Sequence, residues 1–330
     1  MNVKNEVQTL PPPPGIIGSL RTGFDAIAAH ITAILLPLAL DLLLWLGPRL
    51  SLNQLIQPWL PQLQSMLASG TVISASDLKN QMDSYAQFFQ KFNLLSVLRT
   101  FPIGVPSLMS GSTPTLSPLG TPVTWQIDSL GQLAGLFLLL TICGWVLGGL
   151  YFRWVASLVL PETSTPTGKA VLQTVFYSLL WLAIAWIIGL PVGLVLSILF
   201  VINPLLGEGA LLILGFLSMW LIVPIFFSSF GIYLRKQNVF MSFLSGLQLT
   251  RFALPASSLF VLTMLLIGIG LNFLWQIPAN DSWLTLVGIL GHAFIMTALL
   301  ASSFVYYRDT TAWLQTVMER LRATTPTTQA

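Results

Sequence analysis

The 330-residue chain is 55% hydrophobic and only 8% charged, against about 25% charged in an ordinary soluble domain, and its mean hydropathy is +0.81. No soluble core hides so much apolar surface, so lipid is the expected solvent for most of it. A net charge of +3, from basic residues scattered in ones and twos, excludes a nucleic-acid partner, and the single Cys143 excludes an intramolecular disulfide or a Cys/His zinc site.

The expected fold is all-α: a polytopic integral membrane protein of six transmembrane helices with cytoplasmic interfacial helices and one largely helical extracytoplasmic insertion. Residues 1–25 form a cytoplasmic tail with a run of prolines, Pro11–Pro14, and an interfacial helix. In that helix Ile17, Leu20, Phe24 and Ile27 share one face, with Arg21 and Asp25 elsewhere. Nothing here has the form of a cleaved signal peptide. Residues 26–48 make the first crossing, with His30 near its start and Asp41 in its outer third.

Residues 49–127 are the one long hydrophilic segment. Pro58 and Pro61 break its first helix, and Ser74-Ala75-Ser76-Asp77 resembles a capping box ahead of a helix running to about Asn93. That helix carries an apolar stripe of Leu78, Met82, Tyr85, Phe88, Phe89 and Phe92. Leu94–Met109 is apolar but interrupted by Pro102 and Pro106, so it is expected to lie on the bundle or the membrane surface rather than cross.

Residues 128–309 supply five more crossings, each at least as long as the ~20 residues that span a bilayer core. The second, Gly131–Phe152, holds Gly131-x-x-x-Gly135 and Gly144-x-x-x-Gly148, spacings that let helix backbones approach closely. Cys143 within it is expected to be buried and inert. Val171–Ile202 reads as one long kinked or tilted helix with Pro191 in its outer half, and Asn203-Pro204 opens a turn containing Glu208. Ala210–Leu234 is the fourth crossing. Phe240, Phe243, Leu244 and Leu247 then give a second interfacial face, before the fifth crossing at Leu254–Trp275. Trp283–Tyr307 is the sixth, and residues 310–330 form a cytoplasmic amphipathic tail.

With both termini in the cytoplasm, Arg21, Arg235, Lys236, Arg251 and Arg308 become interfacial basic anchors. The two short outer turns hold only Glu208 and Asp281. The expected location is the plasma (inner) membrane. Its bilayer is the first partner, and a protein partner could engage residues 49–127 or the cytoplasmic helices.

Chemistry centres on three polar residues. Counting the helical rise, Asp41 lies about 10 Å inside Pro48, His292 about 13 Å inside Trp283 and Asn272 about 9 Å inside Pro278. An ionised carboxylate in a crossing costs about 2.5–3.5 kcal/mol, so it should face protein or water. Three readings stay open: an interhelical clasp, a proton or cation site shared with His292 or Asn272, and escape of Asp41 towards Arg49. No catalytic motif, cofactor loop or metal-ligand set occurs. The function read from this inventory is a non-enzymatic scaffold, lipid-organising or partner-binding component; the alternative is a small transporter built on Asp41, Asn272 and His292.

Two C-terminal stretches carry a resemblance: Phe243-Leu244-Ser245-Gly246-Leu247-Gln248-Leu249-Thr250-Arg251 and Ala301-Ser302-Ser303-Phe304-Val305-Tyr306-Tyr307-Arg308-Asp309. They resemble a pattern in uncharacterised bacterial multi-pass membrane proteins. Among these are ones similar to the membrane domain found beside glycerophosphodiester phosphodiesterases. The resemblance covers the C-terminal half, implies topology and carries over no catalytic residue.

Overall fold

The computed structural model describes residues 12–70, 75–112, 114–162 and 165–324. The tail through Pro11, Ser74 of the expected capping box and the end of the C-terminal tail, residues 325–330, lie outside them.

Helix α1 (Ile16–Ala29) buries Ser19, Gly23 and Ile27, every fourth residue, and leaves Arg21 and Asp25 outward as an ion pair at 3.7 Å. The expected amphipathic helix is therefore present, but its inner face packs on protein. A Cβ at Gly23 would lie 2.4 Å from Ser302 N, and Phe24 meets Phe294 edge-on at 6.1 Å. The expected crossing over residues 26–48 is not one straight helix. The chain leaves helical geometry at His30 (φ −129, ψ 60), makes a 3₁₀ turn at Ile31–Ile34, and continues as α2 (Leu35–Leu46). Residues 31–46 run at 94° to α1. Pro37 falls in the first turn of α2, where its missing amide loses no bond, whereas in a continuous helix it would break one.

Two short strands, β1 (Arg49–Ser51) and β2 (Thr124–Gln126), pair in parallel at the base of the insertion. The fold is otherwise helical, as expected; this short pair escapes the sequence because three residues give no readable alternation and the partner strand is remote in the chain. Between them lie α3 (Asn53–Ile56), α4 (Leu60–Gly70) and α5 (Ala75–Lys91), with Pro58 in a 3₁₀ turn, Gln57–Trp59, that breaks the first helix as expected. Of the stripe on α5, Leu78 and Met82 are buried, while Tyr85 and Phe88 stay exposed. Residues 94–109 lie on the bundle without crossing: Leu98, Ile103, Val105, Leu108 and Met109, the last opening α6 (Met109–Ser112), belong to the main core.

Helix α7 (Leu130–Val159) shows why one of its glycine pairs matters and the other does not. Gly144 and Gly148 are covered by the backbone of the insertion: their Cβ atoms would lie 2.7 Å from Leu98 O and 2.8 Å from Ile103 O. Nothing lies within 4 Å of Gly131 or Gly135. The close approach is thus of a loop to a helix. Cys143, expected to be buried, is exposed on the outer face of α7 beside exposed Leu139 and Ile142.

Helices α8 (Thr167–Ile184) and α9 (Leu190–Ile202) join through a π-helical turn, Ala185–Gly189, which absorbs the donor that Pro191 lacks. Asn203 caps α10 (Pro204–Phe227), accepting from Leu205 N at 2.9 Å, so Glu208 is inside the helix rather than in a turn. The chain breaks at Ser228-Ser229 before α11 (Phe230–Leu234). The second interfacial segment and the fifth crossing merge in α12 (Val239–Trp275), kinked at Ala253 just ahead of Pro255. Its inward face is the small one, Ser242, Gly246 and Thr250, while Phe240 and Leu247 point outward.

Helix α13 (Thr285–Thr324) runs unbroken through Arg308-Asp309 and packs against α1, α2, α7, α11 and α12. Around its middle an aromatic cluster fills the core, with Phe260 stacked on Tyr306 at 4.0 Å and Phe230 edge-on to Phe304 at 5.0 Å. Two buried tyrosine hydroxyls find partners, Tyr151 on Thr297 at 2.9 Å and Tyr233 with Thr174 at 2.6 Å, while that of Tyr306 has none among the described residues. Among the described residues five helical stretches are long and apolar enough to cross a membrane: Leu130–Val159, Thr167–Ile202, Pro204–Leu234, Val239–Trp275 and Thr285–Arg320. The bent pair at residues 16–46 is a sixth if counted as one span.

Candidate functional site

Asp41, on the inward face of α2, has no exposed surface. A carboxylate there needs hydrogen-bond donors, and the insertion supplies three. Its Oδ1 accepts from Ser107 Oγ at 2.5 Å and Met109 N at 2.9 Å; its Oδ2 accepts from Leu108 N at 3.1 Å. Ser107 Oγ in turn accepts from Ser110 N at 3.0 Å. Arg99 donates to Ser107 O at 3.3 Å and Ser110 Oγ at 3.0 Å, which fixes the loop from its other side. One turn along α2, Trp45 donates Nε1 to Asn280 O at 2.7 Å and meets Trp283 edge-on at 5.9 Å. A single short helix therefore ties the insertion to the α12–α13 turn.

Of the expected trio, Asp41 and His292 come together and Asn272 does not join them. His292 Nδ1 is 3.8 Å from Asp41 Oδ2, too long for a hydrogen bond, and among the described residues that nitrogen has no partner. Asn272 is half-buried on α12; among the described residues its side chain bonds neither of the other two. Escape of Asp41 to Arg49 does not occur either. Arg49 donates to Lys91 O at 2.6 Å and Gln90 O at 3.4 Å, and burial pulls its guanidinium below the ordinary arginine value.

The residues that sequence reasoning missed are Ser107, Leu108 and Met109. A signal for them existed: a proline-broken apolar stretch carries amides that no helix satisfies, and a carboxylate without a visible donor is their natural acceptor.

The residues expected as basic anchors lie on α1, α12, α13 and the turn after α11. Arg21 is paired with Asp25, and Arg308 Nε donates to Asp309 at 2.6 Å. Lys236 takes a positive φ of 55° and its carbonyl accepts Lys169 Nζ at 2.6 Å; Arg251 lies 6.0 Å over the Phe252 ring. Two cavities stand out, and neither touches Asp41. One of about 260 Å³ lies between α3 and α5, lined by Asn53, Gln57, Asp83 and Gln87; one of about 190 Å³ lies beside Arg235, Tyr307 and Arg308. Among the described residues no three His, Cys, Asp or Glu side chains are grouped to hold a metal.

Fold and site together define a helical bundle of membrane-spanning type with a folded insertion bolted to one end. No family model matches the chain, and neither does any curated protein or solved structure.

Proposed function

We propose that this chain is a non-enzymatic multi-pass protein of the plasma membrane, with both termini cytoplasmic. Residues 49–127 are then a fixed extracytoplasmic platform for a protein partner. The observation that carries the reading is the use of Asp41: both carboxylate oxygens are engaged by Ser107, Leu108 and Met109, so the buried charge holds the insertion in place. The platform offers a surface to match. Trp59, in the 3₁₀ turn that leads into α4, and Leu63 and Met66 on α4 are exposed, as are Tyr85 and Phe88 on α5. Contiguous exposed apolar side chains on a polar segment are what a partner interface looks like before it is covered.

The test is purification from native membranes in mild detergent, comparing wild type with a Leu63→Ser, Met66→Ser double variant. A protein retained by the wild type and lost from the variant, at equal melting temperature, supports the platform. Retention by both, or by neither, rejects it. One observation favours the transporter reading, namely the unpaired His292 nitrogen beside Asp41. Proton or cation flux in proteoliposomes, abolished by Asp41→Asn without loss of folding, would replace the platform with transport.

A further inference from the structure

The 190 Å³ cavity at the arginine-bearing end is built where three apolar runs finish: α7 at Val159, α11 at Leu234 and the apolar part of α13 at Tyr307. Its walls are two-sided. Leu160 and Leu234 are nearly buried and supply an apolar floor beside the Tyr307 ring. Arg235 and Arg308 supply exposed cationic heads, and Thr311 also lines the cavity.

The charge there is unbalanced. Among the described residues no carboxylate pairs with Arg235. Arg308 meets Asp309 through Nε alone, leaving the remaining donors of its planar fork for another acceptor. Lys236 follows Arg235 directly, and Lys169 reaches the Lys236 carbonyl. Against these four cations stand Asp309 and, two residues past Leu160, Glu162. A guanidinium fork matches the oxygens of a phosphate in a bidentate way, and a phosphate has oxygens enough for two such groups.

We propose that this cavity binds a phosphate group, carried by an anionic phospholipid headgroup or free in solution. Arg235 and Arg308 grip the oxygens, and Leu160 and Leu234 receive the apolar portion of a lipid. This site is independent of any partner on residues 49–127.

The test is native mass spectrometry of the delipidated full chain, titrated separately with phosphatidylglycerol, phosphatidylcholine and inorganic phosphate. Variants are Arg235→Gln, Arg308→Gln and, as a control outside the cavity, Arg251→Gln. Both cavity arginines are exposed, but Arg235 also hydrogen-bonds the buried Tyr307; Arg235→Lys covers the case in which the glutamine variant does not fold, and it should retain part of the binding. The expected result is saturable binding of phosphatidylglycerol over phosphatidylcholine. Either cavity variant should weaken it about tenfold or more, as expected for losing one charge-assisted contact, and Arg251→Gln should not. Inorganic phosphate binding with the same dependence on Arg235, without lipid selectivity, identifies the free anion as ligand. Binding of neither, or binding equally reduced by Arg251→Gln, overturns the proposal.

Discussion

Replacing Asp41 tests whether a buried carboxylate is a bolt or a proton site. Asparagine keeps the shape and one acceptor oxygen, which can continue to receive Ser107 Oγ and Met109 N. Its amide nitrogen then faces Leu108 N, donor against donor. One buried N–H without an acceptor costs about 1–3 kcal/mol. The same change removes a charge whose insertion costs about 2.5–3.5 kcal/mol. These terms oppose each other, so the global melting temperature of Asp41→Asn should change little. Leucine is the sharper probe, because it strands both Leu108 N–H and Met109 N–H, about 2–6 kcal/mol by the same figure.

The effect should be local before it is global. Hydrogen–deuterium exchange of the detergent-purified protein should show residues 94–112 losing protection about tenfold to hundredfold in Asp41→Leu, and less in Asp41→Asn. Ser107→Ala removes one donor to Asp41 and the acceptor of Ser110 N, and should fall between wild type and Asp41→Leu. If Asp41→Leu folds and residues 94–112 stay as protected as in wild type, the carboxylate is not what holds the insertion.

The two glycine pairs on α7 should respond with opposite signs. Gly144→Val or Gly148→Val pushes into backbone less than 3 Å away and should destabilise by about 1–3 kcal/mol, whereas Gly131→Ala and Gly135→Ala meet open space and should be neutral or gain up to about 1 kcal/mol. Equal melting shifts for both pairs would show that the insertion does not rest on this groove. Gly23→Val, whose side chain meets the Ser302 backbone, should separate α1 from α13 at a similar cost and expose the α1 segment to protease. An unchanged cleavage pattern would count against that packing.

Much of the bundle is legible in the sequence because long apolar runs have few alternatives. Three prolines also act where they stand, Pro58 breaking the first insertion helix, Pro191 beside a π turn and Pro255 beside the α12 kink. The sequence does not distinguish Gly131-x-x-x-Gly135 from Gly144-x-x-x-Gly148, since the difference lies in what covers them. The strand pair at Arg49–Ser51 and Thr124–Gln126 is invisible for the same reason, as each half is ordinary until the other arrives. At His30 the apolar composition continues while the helix does not, so hydropathy reads straight through a 94° bend.

Asp41 was readable as a residue needing a partner but not as one whose partner is a loop, and the reason is physical rather than statistical. Residues 99–108 run over the bundle without regular secondary structure, under glycines that bring their backbone into contact with α7. Amides there have no ladder to join, and away from water each unpaired one is expensive. A helix cannot lend them its own carbonyls, which are already committed to the turn below. A carboxyl group can take several donors at once, so one side chain on α2 satisfies two amides and a hydroxyl. Neither half is stable in an apolar setting alone. The buried acid and the irregular loop are therefore one feature, and a side chain that accepts these hydrogen bonds is needed at position 41 for as long as the loop keeps this path.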